Sequence, residues 1–148
     1  MASSVHIIPM SSEQAEAVYA LSCECFSTPW SFQSIAGEIK NPHALTLVAL
    51  REGKVVGYLN VHHVLDEGDI NLIAVRESAR REGIATMLMK ALFERAENAG
   101  ISSYMLEVRV FNQAAVSFYT HMGFLEVGLR KGYYQKPEED ALLMKKEL

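Results

Sequence analysis

Three stretches of this chain hold side chains whose types and spacing could do chemistry. "YMLEVRV" (104–110) sets one carboxylate, Glu107, inside an apolar run. Desolvation raises the pKa of a buried carboxylate toward the range of a general base. Arg109, two residues on, shares that face of an extended strand. A structural ion pair is therefore the competing reading, and the sequence leaves the two level. Further on, Tyr119 offers a phenol. Read alone, it is a half-buried aromatic of an amphipathic helix, beside Phe118 and Met122.

The third stretch is "ARREGIAT" (79–86), between an apolar run ending at Val75 and a long helical pattern. A helix N-terminus presents unpaired backbone N–H groups and about half a positive charge. Gly83 lets a ligand approach the backbone, and Arg80 and Arg81 add charge. An R-x-x-G-x-A turn of this kind can hold a pyrophosphate by main-chain donors alone. A solvated helix start with two arginines is the other local reading. The phosphate-loop lysine and the dinucleotide glycine pattern are both missing. Glu82, an acid beside the glycine, is tolerable if its side chain points to solvent.

Elements must position these groups. "VHIIPM" (5–10) predicts a strand. Residues 11–26 predict a helix with Ser11 as N-cap and Gln14 closing a capping box. Ser31 caps a short helix that ends near Asn41-Pro42. Residues 44–50 and 55–65 predict a strand hairpin around the turn 51–54, and 69–75 a further strand. From Gly83 the period becomes helical through Ile84, Met87, Leu88, Ala91, Leu92, Ala96 and Ala99, broken at Arg95. Gly100 stops that helix. Residues 104–110 predict a strand, and Asn112 caps a helix to about Met122, ended by Gly123. Residues 124–129 and 141–148 predict the last strands, with a polar loop between them. The order β-α-α-β-β-β-α-β-α-β-β is an α/β (α+β) arrangement: a mixed sheet of about seven strands with four helices on its faces. With no repeat or linker, residues 1–148 read as one domain.

The chain has 148 residues, 49% hydrophobic, with a formal charge of −4. That length suffices for one core, and the negative balance disfavours non-specific nucleic-acid binding. Cys23 and Cys25 do not share a helix face and read as reduced core thiols. The N-terminus lacks a basic region and a long apolar stretch, so no signal peptide is expected. No apolar run reaches the ~20 residues of a membrane span. A cytoplasmic protein is the expectation. His62 and His63 face opposite sides of a strand, and His6, His43 and His121 show no ligand spacing, so no metal site is expected.

"INLIAVRESARREGIATMLMKAL" resembles the coenzyme-A-binding motif of the Gcn5-related N-acetyltransferase superfamily, Q/R-x-x-G-x-G/A, as Arg80-Arg81-Glu82-Gly83-Ile84-Ala85. The combination of "WSFQS", "LEVRVFNQAAVSFYTHMGF" and "RKGYYQKPEEDALLM" resembles the bacterial ribosomal-protein-alanine N-acetyltransferases. Departures are Arg80 for glutamine, Ala85 for glycine, and Arg76-Glu77 where many relatives carry a proline.

The resemblance implies a mostly antiparallel sheet with acetyl-CoA splayed between two central parallel strands. It implies coenzyme contacts at Ile73, Ala74, Val75, Arg80, Arg81, Glu82, Gly83, Ile84, Ala85, Thr86, Asn112 and Tyr119. It favours Glu107 as the base, directly or through water, and Tyr119 as the acid for the departing thiolate. A free phenol near ~10 suits a thiol near ~8.5. Tyr133 and Tyr134, in the loop before the last strand, with Asp140, Glu138 and Glu139, become a wall for the substrate peptide, and Trp30 and Phe32 the opposite wall. The implied partner is the N-terminal peptide of a ribosomal protein, through the alanine of small-subunit protein eighteen, with a monomer favoured. Direct attack in a ternary complex is expected, since no cysteine or serine is placed as an acyl carrier. An α-amine (pKa ~7.7–8.0) is easier to deprotonate than lysine (~10.4) by about 3.4 kcal/mol, which fits a modest base. Acetylation of lysine or a small amine, and a non-catalytic acyl-CoA-binding role, are the alternatives.

Overall fold

The computed structural model describes residues 4–135 and 137–148. Seven strands form one sheet: β1 (Val5–Pro9), β2 (Ala44–Arg51), β3 (Lys54–Val64), β4 (Glu67–Val75), β5 (Ser103–Arg109), β6 (Leu125–Tyr134) and β7 (Glu139–Glu147). Their spatial order is β1-β2-β3-β4-β5-β7-β6. Only β4 with β5 is parallel; the other neighbours are antiparallel. Four helices complete the expected set: α1 (Ser12–Cys25), α2 (Phe32–Gly37), α3 (Ile84–Ala99) and α4 (Gln113–His121). None is long and apolar enough to cross a membrane.

Local chemistry explains the boundaries. Gln14 Oε1 accepts the Ser11 N–H at 2.8 Å, one half of the capping box that starts α1. Ser31 Oγ accepts from Ser34 N at 3.1 Å and starts α2. That helix is shorter than expected. After Gly37 the chain tightens into a 3-10 turn over Glu38–Lys40, because the residue before Pro42 is pushed out of the helical region. Gly100 adopts φ +71° and closes α3.

The sheet has a core on each face. Val48, Val55, Tyr58 and Ala74 pack under α1 and α2 with Val18, Leu21 and Ile35. Leu47, Leu59, Val61, Leu106 and Val108 pack under α3 and α4 with Leu88, Leu92 and Tyr119. On α3 the buried stripe takes in Met89, whereas Met87, expected inside, is exposed. Cys23 also departs from expectation: it is exposed, while Cys25 is half-buried. α1 turns its Val18–Leu21–Ser22 side to the sheet, and residues at i and i+2 cannot both follow it.

The last hairpin departs most. β6 runs to Tyr134, beyond the expected end at residue 129, with register breaks between Glu126 and Gly128 and between Arg130 and Tyr134. Tyr133 and Tyr134 are thus strand residues rather than loop residues.

Candidate active site

The centre of the sheet is open. β4 and β5 share a ladder only from Glu67–Ser103 to Ile70–Leu106. Beyond it β4 stays with β3 as far as Val75, and β5 stays with β7 as far as Arg109. Ile73, Ala74 and Val75 pair with Leu59, Tyr58 and Gly57 on one side. Their other edge borders the gap without a strand partner. An extended ligand arm can pair with such an edge.

At the end of β4 the chain makes a tight turn into α3. Arg81 has φ +67° and Gly83 φ +80°. Among the described residues, none accepts a hydrogen bond from the backbone N–H of Arg81, Glu82, Gly83, Ile84, Ala85 or Thr86. The first capping bond of α3 comes later, from Met87 N to Gly83 O at 3.0 Å. Six consecutive free amides at the positive end of a 16-residue helix form a nest for an anion. A Cβ on Gly83 would meet nothing within 4 Å, so the approach is clear. These donors fit the pyrophosphate of coenzyme A. The helix is seated by Ile84 and Leu88, which press on Gly57 of β3.

Two charged groups of this turn are engaged elsewhere. Glu82 is exposed and pairs with Arg51 at 2.9 Å, which turns the acid away from the nest. Arg80 folds back: its Nε donates to Val75 O at 3.0 Å, and its Nη2 lies 3.7 Å from Cys25 Sγ.

On the face left open beyond α2, a cavity of about 350 Å³ spans β4, β5, β7 and β6. Asp69, Asn71, Glu107, Arg130, Tyr133 and Tyr134 line it. Leu106 and Val108 point to the α3/α4 core, so Glu107 points into this cavity. Its side chain is 27% exposed, 3.4 Å from Arg130. The expected desolvated setting is therefore absent: only one face of the strand is dry.

The competing reading, an ion pair of Glu107 with Arg109, is not what forms. Arg109 donates to Gln135 O and Pro137 O, each at 2.9 Å, lies 3.5 Å from Glu139, and stacks on the Tyr134 ring at 4.5 Å. It clamps the β6–β7 connection. Burial pushes the Tyr134 phenol up to about 12, helped by the Glu107 charge. A hydrogen bond to Glu107 raises Tyr133 above the ordinary phenol value. The acids of the connection are committed locally: Glu139 Oε2 accepts from Phe111 N at 2.7 Å, and Asp140 Oδ1 from Gly132 N at 2.8 Å.

Tyr119 sits on α4, on the other side of the sheet. It is 7% exposed, with its ring against Phe118 and Phe124. Burial raises its phenol well above the ordinary value, and the neighbouring Tyr134 adds to this. The match to a thiol expected for a free phenol is thereby lost: this group holds its proton more firmly. Asn112 caps α4 through Oδ1, which accepts from Ala115 N at 3.2 Å.

Trp30 and Phe32 do not join the tyrosine cavity. Trp30 lines a small void under α2 with Ile35, Glu38, Tyr58 and Asn60, and Phe32 stacks edge-on with Tyr19. Sequence reasoning missed Arg130, whose contact with Glu107 crosses a whole strand. It also missed Asn71, although one polar residue inside "INLIAV" was a visible irregularity. Among the described residues, no group of three His, Cys, Asp or Glu side chains is placed to hold a metal ion.

Comparison with known proteins adds to this geometry. The acetyltransferase (GNAT) family profile matches residues 15–124. The [ribosomal protein bS18]-alanine N-acetyltransferase of Escherichia coli (strain K12) is 31% identical over 130 residues, covering 86% of this chain and 87% of that protein. The crystal structure of the ribosomal-protein-S18-alanine N-acetyltransferase from Escherichia coli superposes with a TM-score of 0.90 at 28% identity, covering 97% of this chain and 94% of that one. Arabidopsis thaliana NAA60 in complex with acetyl-CoA shares the fold at a TM-score of 0.89 and 16% identity, covering 98% of this chain and 100% of that one.

Proposed function

This chain belongs to the acetyltransferase (GNAT) family and is an acetyl-CoA-dependent N-acetyltransferase; from that premise we propose that it acetylates the α-amine at a protein N-terminus, with the N-terminal alanine of ribosomal protein bS18 as the target. One observation carries the reading: Glu107 and the Tyr133–Tyr134 pair line one open cavity next to the β4–β5 gap. The likeness over 86% of the chain to a relative named for action on bS18 supports the choice of amine. A ribosomal target places the reaction in the cytoplasm.

Acetyl-CoA, when bound, supplies the acetyl group as a thioester. The amides of Arg81 to Thr86 bind the pyrophosphate, and the edge of Ile73–Val75 that lacks a strand partner holds the pantetheine arm. Asn112 adds a coenzyme contact beyond its cap. Tyr133 and Tyr134 wall the peptide side of the cavity, and Asp140 borders its approach. Glu107 accepts the proton that the amine loses on attack. Tyr119, protonated throughout the neutral range, donates to the departing sulfur. An α-amine is partly neutral at pH 7, which suits a carboxylate open to solvent.

The test uses acetyl-CoA and two peptides. One carries the bS18 N-terminus; the other is blocked there and carries lysine. Mass spectrometry then locates the acetyl group. Acetylation of the α-amine is expected, and modification of lysine alone overturns the reading.

A further inference from the structure

Asn71 marks the point where β4 leaves β5. β3 pairs Asn60 with Leu72 and Val61 with Ile70, so Asn71 is the extra residue of a bulge. The β4–β5 ladder ends one residue earlier, at Ile70 with Leu106. A bulge bends its strand and ends regular pairing, so its position sets where the gap opens. The run Ile70 to Val75 does little by itself to hold a bulge in place. A slip of one residue would exchange the faces of Leu72, Ile73, Ala74 and Val75.

A side-chain network holds it. Asn71 Nδ2 donates to Asn60 Oδ1 at 3.0 Å. Asn60 is 2% exposed, and its Nδ2 donates to Thr46 Oγ1 at 2.9 Å and to Glu38 Oε1 at 3.2 Å. An ionised carboxylate only accepts, which fixes the amide with its oxygen toward Asn71. Glu38 is held in turn by His62 and Asn41. A buried amide with its bonds satisfied is rigid, and one left unsatisfied is costly. The network thus ties Asn71 to β2, to β3 and to the turn after α2.

We propose that Asn60 is a positioning residue for the acetyl-CoA cleft: through Asn71 it fixes the bulge at which β4 parts from β5. The inference rests on acetyl-CoA use and not on the identity of the amine.

The experiment measures coenzyme A affinity by calorimetry and Tm by thermal denaturation, on the full chain. Asn71 is exposed, so Asn71→Ala leaves the core intact. It should weaken coenzyme A binding about threefold to tenfold, the scale of one hydrogen bond, with Tm nearly unchanged. Asn60→Leu should show a similar loss of affinity and a lower Tm. The double variant should bind coenzyme A no more weakly than Asn60→Leu, because both changes cut one link. Wild-type affinity in Asn71→Ala, additive losses in the double variant, or a lower Tm without lost affinity in Asn60→Leu overturns the proposal. If Asn60→Leu does not fold, Asn60→Ser replaces it under the same criteria.

Discussion

Glu107 of β5 and Arg130 of β6 meet over the strand that separates them, with Arg130 Nη1 3.4 Å from Glu107 Oε1. The pair keeps the carboxylate in the cavity and open to solvent. Glu107→Gln preserves its shape and removes its ability to take a proton. Turnover should fall by about 10²–10⁴-fold, and the rate should lose its decline on the acid side. Coenzyme A affinity should not change. An unaltered pH–rate profile would make Glu107 a structural residue.

Arg109 holds the β6–β7 connection through two carbonyls and the Tyr134 ring. Arg109→Met keeps the apolar stem and deletes the guanidinium contacts. KM for the peptide should rise about tenfold, the scale of one charge-assisted hydrogen bond. Affinity for coenzyme A should stay at the wild-type value. Parallel losses for both substrates would contradict a local clamp.

Gly83 has φ +80° and open space where a side chain would stand. Gly83→Glu meets no steric block within the fold, so its stability cost should be about 1–2 kcal/mol, from the left-handed backbone alone. It sets a negative charge against an anion site. Coenzyme A binding should weaken by about tenfold or more. Calorimetry on a variant with a normal circular-dichroism spectrum checks this, and undiminished affinity would remove the nest from the binding site.

Burial pushes Tyr58, Tyr104 and Tyr134 up to about 12. Such a phenol stays neutral in the fold yet ionises near ~10 in the unfolded chain. The stabilisation is complete below that unfolded value and is lost as pH rises through about 12. Tm should therefore fall between those limits, with tyrosinate absorbance appearing together with unfolding. Tyr58→Phe should flatten the fall. Free titration of the phenols near 10 in a still-folded protein is the contrary result.

The helices were legible because their ends carry local chemistry: Ser11 with Gln14, Ser31, Asn112, and Gly100 beyond α3. The inner strands were legible from runs such as "LTLVAL". β6 was not. Both its faces are largely exposed, so "LRKGYY" lacks the alternation that marks a half-buried strand. The nest was legible as a glycine before a helix, but the Arg51–Glu82 pair joins distant parts of the chain. Glu107 was found by type, and its true partner was not, since the order β5-β7-β6 places Arg130 beside it through a strand that comes last in sequence. Trp30 was assigned to the wall opposite the tyrosines, whereas it lines a separate void under α2.

The short β4–β5 ladder has a mechanical consequence. Among the described residues it is the sole strand pairing that joins the β1–β4 plate to the β5–β7–β6 plate. The two plates are welded at one end and free at the other, so the weld is the place where small rotations cost least. A molecule lodged between the free ends acts as a brace. Amide exchange at Glu107 to Arg109 should slow on coenzyme A binding, while exchange in β1 and β2 changes little. With such slowing, the ligand would be a temporary structural member of the sheet.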